Sequence, residues 1–126
     1  MSHIHPEGKP MKIILDLCVV PLGVGVSLSQ YITACERVLQ EAKLKTTLHA
    51  YGTNIEGEWD QVMAAVKRCH EVVHQMGAPR IFTSIRMGTR VDREQSMENK
   101  VESVLSKMGL RRQKAKGKRV KEKGEG

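Results

Sequence analysis

Met11-Lys-Ile-Ile-Leu-Asp-Leu-Cys-Val-Val20 alternates with the period of a β-strand. Met11, Ile13, Leu15, Leu17 and Val19 fall on one face, and Lys12, Ile14, Asp16, Cys18 and Val20 on the other. The first face is wholly apolar and asks for a cover. Pro21-Leu-Gly-Val-Gly25 breaks the alternation and reads as a loop, after which Ser27 or Ser29 is placed to cap a helix. Leu28, Tyr31, Ile32, Cys35, Val38, Leu39 and Ala42 then keep the i, i+3, i+4 spacing of an amphipathic helix. A strand followed by its covering helix is half of a repeated plan, and the rest of the chain supplies the other half.

Thr46–Tyr51 is β-branched and alternating, Gly52-Thr-Asn54 carries a turn signal, and a short strand through Ile55 and Glu56 pairs back until Gly57. From Glu58 to Met76 the helical period returns in Val62, Val66, Cys69, Val73 and Met76, widened by Ala65 and Val72. Gly77 stops that helix and Pro79 prevents its resumption. Arg80–Val91 reads as a long strand. Ser96–Met108 carries a third helical stripe of Met97, Val101, Val104, Leu105 and Met108, ended by Gly109. The order β-α-β-β-α-β plus a final helix predicts an α+β fold, a ferredoxin-like sandwich with both helices on one face of a four-stranded antiparallel sheet.

That plan leaves one sheet face uncovered. The helix side takes Ile13, Leu15, Leu17, Leu48, Ala50, Ile81, Thr83, Ile85 and Met87. The open side takes Ile14, Asp16, Cys18, Thr47, His49, Tyr51, Phe82, Ser84 and Arg86. A surface that mixes apolar with convergent polar residues suits packing against a second copy, with a small polar pocket enclosed between them. A wet surface, or an interface without a ligand, gives the same pattern.

Composition narrows the class. The 126 residues carry 40% hydrophobic and 28% charged side chains, as expected of one globular domain. Aromatics are limited to Tyr31, Tyr51, Trp59 and Phe82, so the core must be aliphatic. Most of the formal charge of +7 sits in residues 111–126, which hold eight Lys or Arg and two Glu. The body is nearly neutral, which argues against a nucleic-acid-binding domain and leaves a basic tail able to contact nucleic acid or an anionic surface nonspecifically. Residues 1–10 read as a disordered leader without signal-peptide features, 11–108 as the domain and 109–126 as a disordered basic tail. The apolar run Ile13–Val26 is too short to span a bilayer. Three cysteines without a CxxC fit a reducing compartment, and a cytoplasmic protein is expected.

Three motifs suggest chemistry. His70-Glu71-Val72-Val73-His74 matches the zinc-protease pattern HExxH. At about 100° per residue, however, Glu71 lies roughly 190° from the buried stripe of its helix, and no third histidine follows. Gly23-Val24-Gly25 lacks the third glycine and the Lys-Ser/Thr of a phosphate loop. Cys35 and Cys69 sit within apolar stripes as small hydrophobes, while Cys18 lies on the open face without an evident base. No catalytic residue, metal site or cofactor is expected.

In combination the residues resemble the thiamine-binding protein family. The matching segments are Val20-Pro21-Leu22-Gly23, Ser29-Gln30-Tyr31-Ile32 and Tyr51-Gly-Thr-Asn-Ile-Glu-Gly-Glu-Trp-Asp60. They continue with His70-Glu71, Gly77-Ala-Pro-Arg-Ile81 and Ile85-Arg-Met-Gly-Thr-Arg-Val-Asp92, so the resemblance covers about residues 11–108. It implies sheets packed face to face between subunits, a homodimer or homotetramer, and non-enzymatic binding of thiamine or its hydroxymethylpyrimidine part. It also implies that His70-Glu71 is structural. An aminopyrimidine needs a flat slot, an acceptor for its amino group and donors for its ring nitrogens. Glu56 or Asp16 supplies an acceptor, Thr53, Ser84 or His49 further polar groups, and Tyr51, Phe82 or Trp59 an aromatic face. Glu56 and Ser84 come first. Glu56 as a helix cap, Trp59 as core and an Asp16–Arg86 pair are the structural alternatives. Arg86 disfavours a cationic thiazolium, which keeps an anionic or phosphorylated ligand in view.

Overall fold

The computed structural model describes residues 8–94 and 96–110. Elements follow in the order β1 (Lys12–Leu22), α1 (Ser29–Glu41), β2 (Lys45–His49), β3 (Gly52–Glu58), α2 (Trp59–Gln75), β4 (Arg80–Thr89) and α3 (Met97–Lys107). The strands form one antiparallel sheet in the order β2-β3-β1-β4, the ferredoxin-like arrangement expected from the sequence. The chain divides into two units, Met1–Glu94 and Gln95–Gly126. The expected leader lies largely outside the described residues, as does the tail beyond Leu110.

In the first unit the core lies between the sheet and helices α1 and α2. It comprises Ile13, Leu15 and Leu17 of β1, Ile55 of β3, Tyr31, Cys35, Val38 and Leu39 of α1, and Val62, Ala65, Val66, Cys69 and Val73 of α2. The centres of the two helical stripes therefore face the sheet as their periodicity requires, while Ile32 and the C-cap Ala42 of α1 and the C-cap Met76 of α2 are exposed. Glu58 caps α2 by accepting the Gln61 backbone N–H at 3.2 Å, so Glu56 is not the cap. Gly77, with φ of +109°, follows that helix. In the second unit Ser96 caps α3 through the Asn99 N–H, and none of the helix residues is buried.

Four local expectations are corrected. First, the hairpin turns at Ala50-Tyr51 rather than at Gly52-Thr-Asn, and β3 starts at Gly52. Thr53 and Ile55 are 4% and 0% exposed, and burying that alternating pair outweighs the turn propensity of Gly-Thr-Asn. Secondly, Gly57 continues the strand opposite Ile13. Thirdly, β1 runs on through Pro21. Beyond Leu17 it pairs with β4 alone, so the proline can turn its N–H-less side to an unpaired edge. Fourthly, neither Ser27 nor Ser29 caps α1. Leu28 is the N-cap without a side-chain bond, its carbonyl accepting from Tyr31 and Ile32.

The end of α1 carries local strain. Lys43 has φ of +60°, the left-handed conformation usually given to glycine, and the Leu44 N–H closes back on the Leu39 carbonyl. Lys43→Gly is expected to stabilise the protein by about 1 kcal/mol, read as a higher urea midpoint at unchanged slope.

Candidate ligand-binding face

Pairing registers assign each strand residue to a face. Asp16 lies between Asn54 of β3 and Arg86 of β4, Cys18 opposite Ser84, Val20 opposite Phe82, and Ile14 between Glu56 and Gly88. All share the face away from α1 and α2, together with Lys45, Thr47 and His49 of β2. Phe82 is 63% exposed there.

Asp16 is the centre of this face. One carboxylate oxygen lies 2.6 Å from His49 Nε2 and the other accepts from Arg86 Nη2 at 3.0 Å. The Tyr51 backbone N–H donates to His49 Nδ1 at 3.3 Å. The ring hydrogen therefore resides on Nε2 and points at Asp16. The His49 hydrogen bond, followed by that of Arg86, holds the Asp16 carboxyl below its ordinary value of 3.8, against partial burial, which pushes it up. The charged form is thus favoured in the fold. Its contribution to stability is present above pH 3.8 and is lost as pH falls through the lower folded value. Asp16→Asn is expected to flatten this part of the acid limb of a stability–pH profile and leave the neutral limb unaltered in shape, as measured by urea unfolding at stepped pH.

A second charged cluster lies further along β3. The Glu56 carboxylate is 5% exposed and paired with Lys12 at 3.0 Å and Lys45 at 3.7 Å, which reach it from the strands on either side. A buried carboxylate needs such partners to stay ionised. Sequence reasoning placed Lys12 on this face without giving it a role, and it missed Lys45. Their period-two positions beside β3 were the available signal.

The candidate residues thus separate by place. Asp16, His49, Ser84, Arg86, Phe82 and Glu56 share the open face. Thr53 is on the helix side, where its hydroxyl donates to Glu36 at 2.6 Å, so it does not join the Asp16 cluster. Tyr51 is in the hairpin turn, 86% exposed, rather than on the sheet. Trp59 opens α2, its backbone N–H bonded to the Met11 carbonyl, five residues along the chain from Asn54.

The HExxH residues are tied into the fold. His70 Nε2 is 2.7 Å from the Thr83 hydroxyl, His74 Nδ1 donates to the Ala78 carbonyl at 2.8 Å, and Glu71 accepts from Arg68. The histidines join α2 to β4 and to the turn before it. Among the described residues no cluster of three or more His, Cys, Asp or Glu is arranged for a metal ion. No helix among them is long and apolar enough to cross a membrane.

The family model described as thiamine-binding protein matches residues 15–105. A UPF0045 protein of Synechocystis is 68% identical over 104 residues, covering 82% of this chain and 85% of that protein. A crystal structure of a hypothetical protein from Methanocaldococcus jannaschii superposes with a TM-score of 0.70 at 30% identity, covering 75% of this chain and 96% of that one. The fold also matches a candidate thiamine biosynthesis/salvage protein from Thermotoga maritima, with a TM-score of 0.65 at 22% identity, over 74% of this chain and 98% of the other. The family match spans β1 to α3 and includes every strand of the open face: this chain belongs to the thiamine-binding protein family.

Proposed function

We propose that the protein is a non-enzymatic small-molecule binder that takes thiamine or its hydroxymethylpyrimidine part on the open sheet face, at an interface between two copies of the chain. The observation that carries the reading is the Asp16 cluster, a carboxylate fixed by His49 and Arg86 on a sheet face that neither α1 nor α2 covers. Family membership supports small-molecule binding of this class. The exposed Phe82 and the half-buried Ile14, Cys18 and Val20 supply the apolar surface that a facing sheet would cover.

Within this proposal each side chain has a chemical task. Asp16, on the face with 22% of its side chain exposed, accepts from the pyrimidine amino group through lone pairs that His49 and Arg86 leave open. Glu56 is the less accessible acceptor and serves to hold Lys12 and Lys45. The Ser84 hydroxyl, one ladder step from Asp16, donates to a ring nitrogen, and Phe82 stacks on the ring. Arg86 is 86% exposed and gives one nitrogen to Asp16, so its remaining donors suit a phosphate ester. The same cation opposes a thiazolium.

A thermal-shift titration tests this. Hydroxymethylpyrimidine or its phosphate is expected to raise the melting temperature in a saturable, concentration-dependent way and more than thiamine does, following the linkage of ligand binding to folding. Asp16→Asn is expected to remove the rise. A response to sulfate alone would identify an anion site in place of a pyrimidine site. No response to any thiamine compound would refute the proposed ligand class.

A further inference from the structure

Two of the three cysteines meet across the helix layer. Cys35 lies on the sheet-facing stripe of α1 and Cys69 on that of α2, and the two helices pack against each other. Their residues are 6% and 0% exposed. The Cys69 Sγ lies 3.8 Å from the Cys35 carbonyl oxygen, which places the two buried cysteines side by side across the helix contact. No disulfide joins them, and both are free thiols. The third, Cys18, is on the opposite face of the sheet and cannot reach either without crossing it. A small-hydrophobe role needs only two buried methyl-sized groups. It does not need two thiols facing each other from separate helices.

We propose that Cys35 and Cys69 form a modification site, a dithiol that hydrogen peroxide converts reversibly to a disulfide joining α1 to α2. The Cys69 hydrogen bond favours the thiolate at Cys35, whose titration it lowers, and the same contact together with burial pushes the Cys69 thiol up. Cys35 is the less deeply buried of the two, 6% exposed against 0% for Cys69, and is the attacking group. Its thiolate attacks one peroxide oxygen, the O–O bond breaks, and hydroxide leaves to be protonated to water, giving a sulfenic acid. Cys69 then attacks the Cys35 sulfur, loses its thiol proton and expels a second hydroxide as water. Two thiols are oxidised by two electrons, one peroxide is reduced to two waters, and one S–S bond forms. Burial sets the pace, because peroxide enters through local opening of the α1–α2 contact. Once formed, the bond closes a ring that contains β2, β3 and their hairpin, and a reducing dithiol reopens it.

The test is peroxide treatment of the full folded chain, followed by alkylation in denaturant and peptide mapping without reductant. Alkylatable thiols are expected to fall from three to one, the survivor being Cys18, with a cross-linked peptide pair containing Cys35 and Cys69. Dithiothreitol should restore all three. Cys18→Ser should leave no alkylatable thiol after oxidation and yield no cross-linked dimer. Cys35→Ala should yield no intramolecular cross-link. The oxidised protein should melt at least about 5 °C higher than the reduced protein. The proposal is overturned if Cys35 and Cys69 stay alkylatable while Cys18 oxidises. Peroxide carrying them separately to sulfinic acids would overturn it too, as would a cross-link that forms only when the chain is unfolded beforehand.

Discussion

Leu15→Ala is expected to lower the unfolding free energy by about 3 kcal/mol, which for a domain of this size moves the melting temperature down by on the order of 15 °C. Leu15 is fully buried on β1, with Ile55 on one neighbouring strand and Met87 on the other. It sits under the helix layer, where a truncation leaves a cavity that well-packed surroundings do not close. Leu48→Ala is the matched control. It also lies on the helix side, but on the edge strand and 60% exposed, so its loss should stay within about 0.5 kcal/mol. Urea unfolding of both variants checks the pair. Equal losses would contradict the placement of the core beneath β1.

Gly52→Ala is the second large effect, and it acts on the candidate site as well as on stability. A Cβ at Gly52 would lie 2.6 Å from the Leu17 carbonyl oxygen, 3.2 Å from Asp16 Oδ1 and 3.3 Å from the His49 ring. The first contact is with backbone and cannot be relieved by turning a side chain, so β3 must shift away from β1. A destabilisation of about 2–3 kcal/mol is expected, together with loss of the Asp16–His49 hydrogen bond. The variant should therefore also lose the acid-limb contribution of Asp16. Gly88→Ala, where an added Cβ meets nothing within 4 Å, should be near neutral in the same assay. If the two alanines behave alike, the hairpin does not approach β1 as closely as described.

Much of this architecture was legible from spacing. The alternation from Met11 to Val20 gave the buried and open faces of β1 residue by residue, and the two long helical stripes gave the cover. The register of the hairpin was less legible. Gly52-Thr-Asn is good turn chemistry locally, and only burial of Thr53 and Ile55 against the helices makes it strand. The one-step change takes Tyr51 off the sheet. Thr53 falls on the helix side because it pairs with Leu17 and Leu48. Both follow from pairing between distant segments, which a local pattern does not encode. At the site, the Asp16–Arg86 pairing was visible as a possibility from two strands of known face, whereas the His49 contact depended on where the hairpin turned. Glu56 looked like a ligand acceptor from its type and position. The flanking lysines that occupy it come from two other strands. Zinc was discounted from the helical wheel, and the histidines of that motif have hydrogen bonds to Thr83 and Ala78.

The most direct test of the central claim is to map the binding surface by backbone amide chemical shifts while hydroxymethylpyrimidine phosphate is titrated into the full chain. The open face and a shallow groove between α1 and α2, lined by Val38, Glu41, Ala42, Gln61, Ala64, Ala65 and Arg68, are on opposite sides of the sheet and give distinct patterns. The account predicts saturable shifts centred on Asp16, Cys18, Phe82, Ser84 and Arg86, absent in Asp16→Asn. Saturable shifts confined to the α1–α2 groove, and retained in Asp16→Asn, would contradict it.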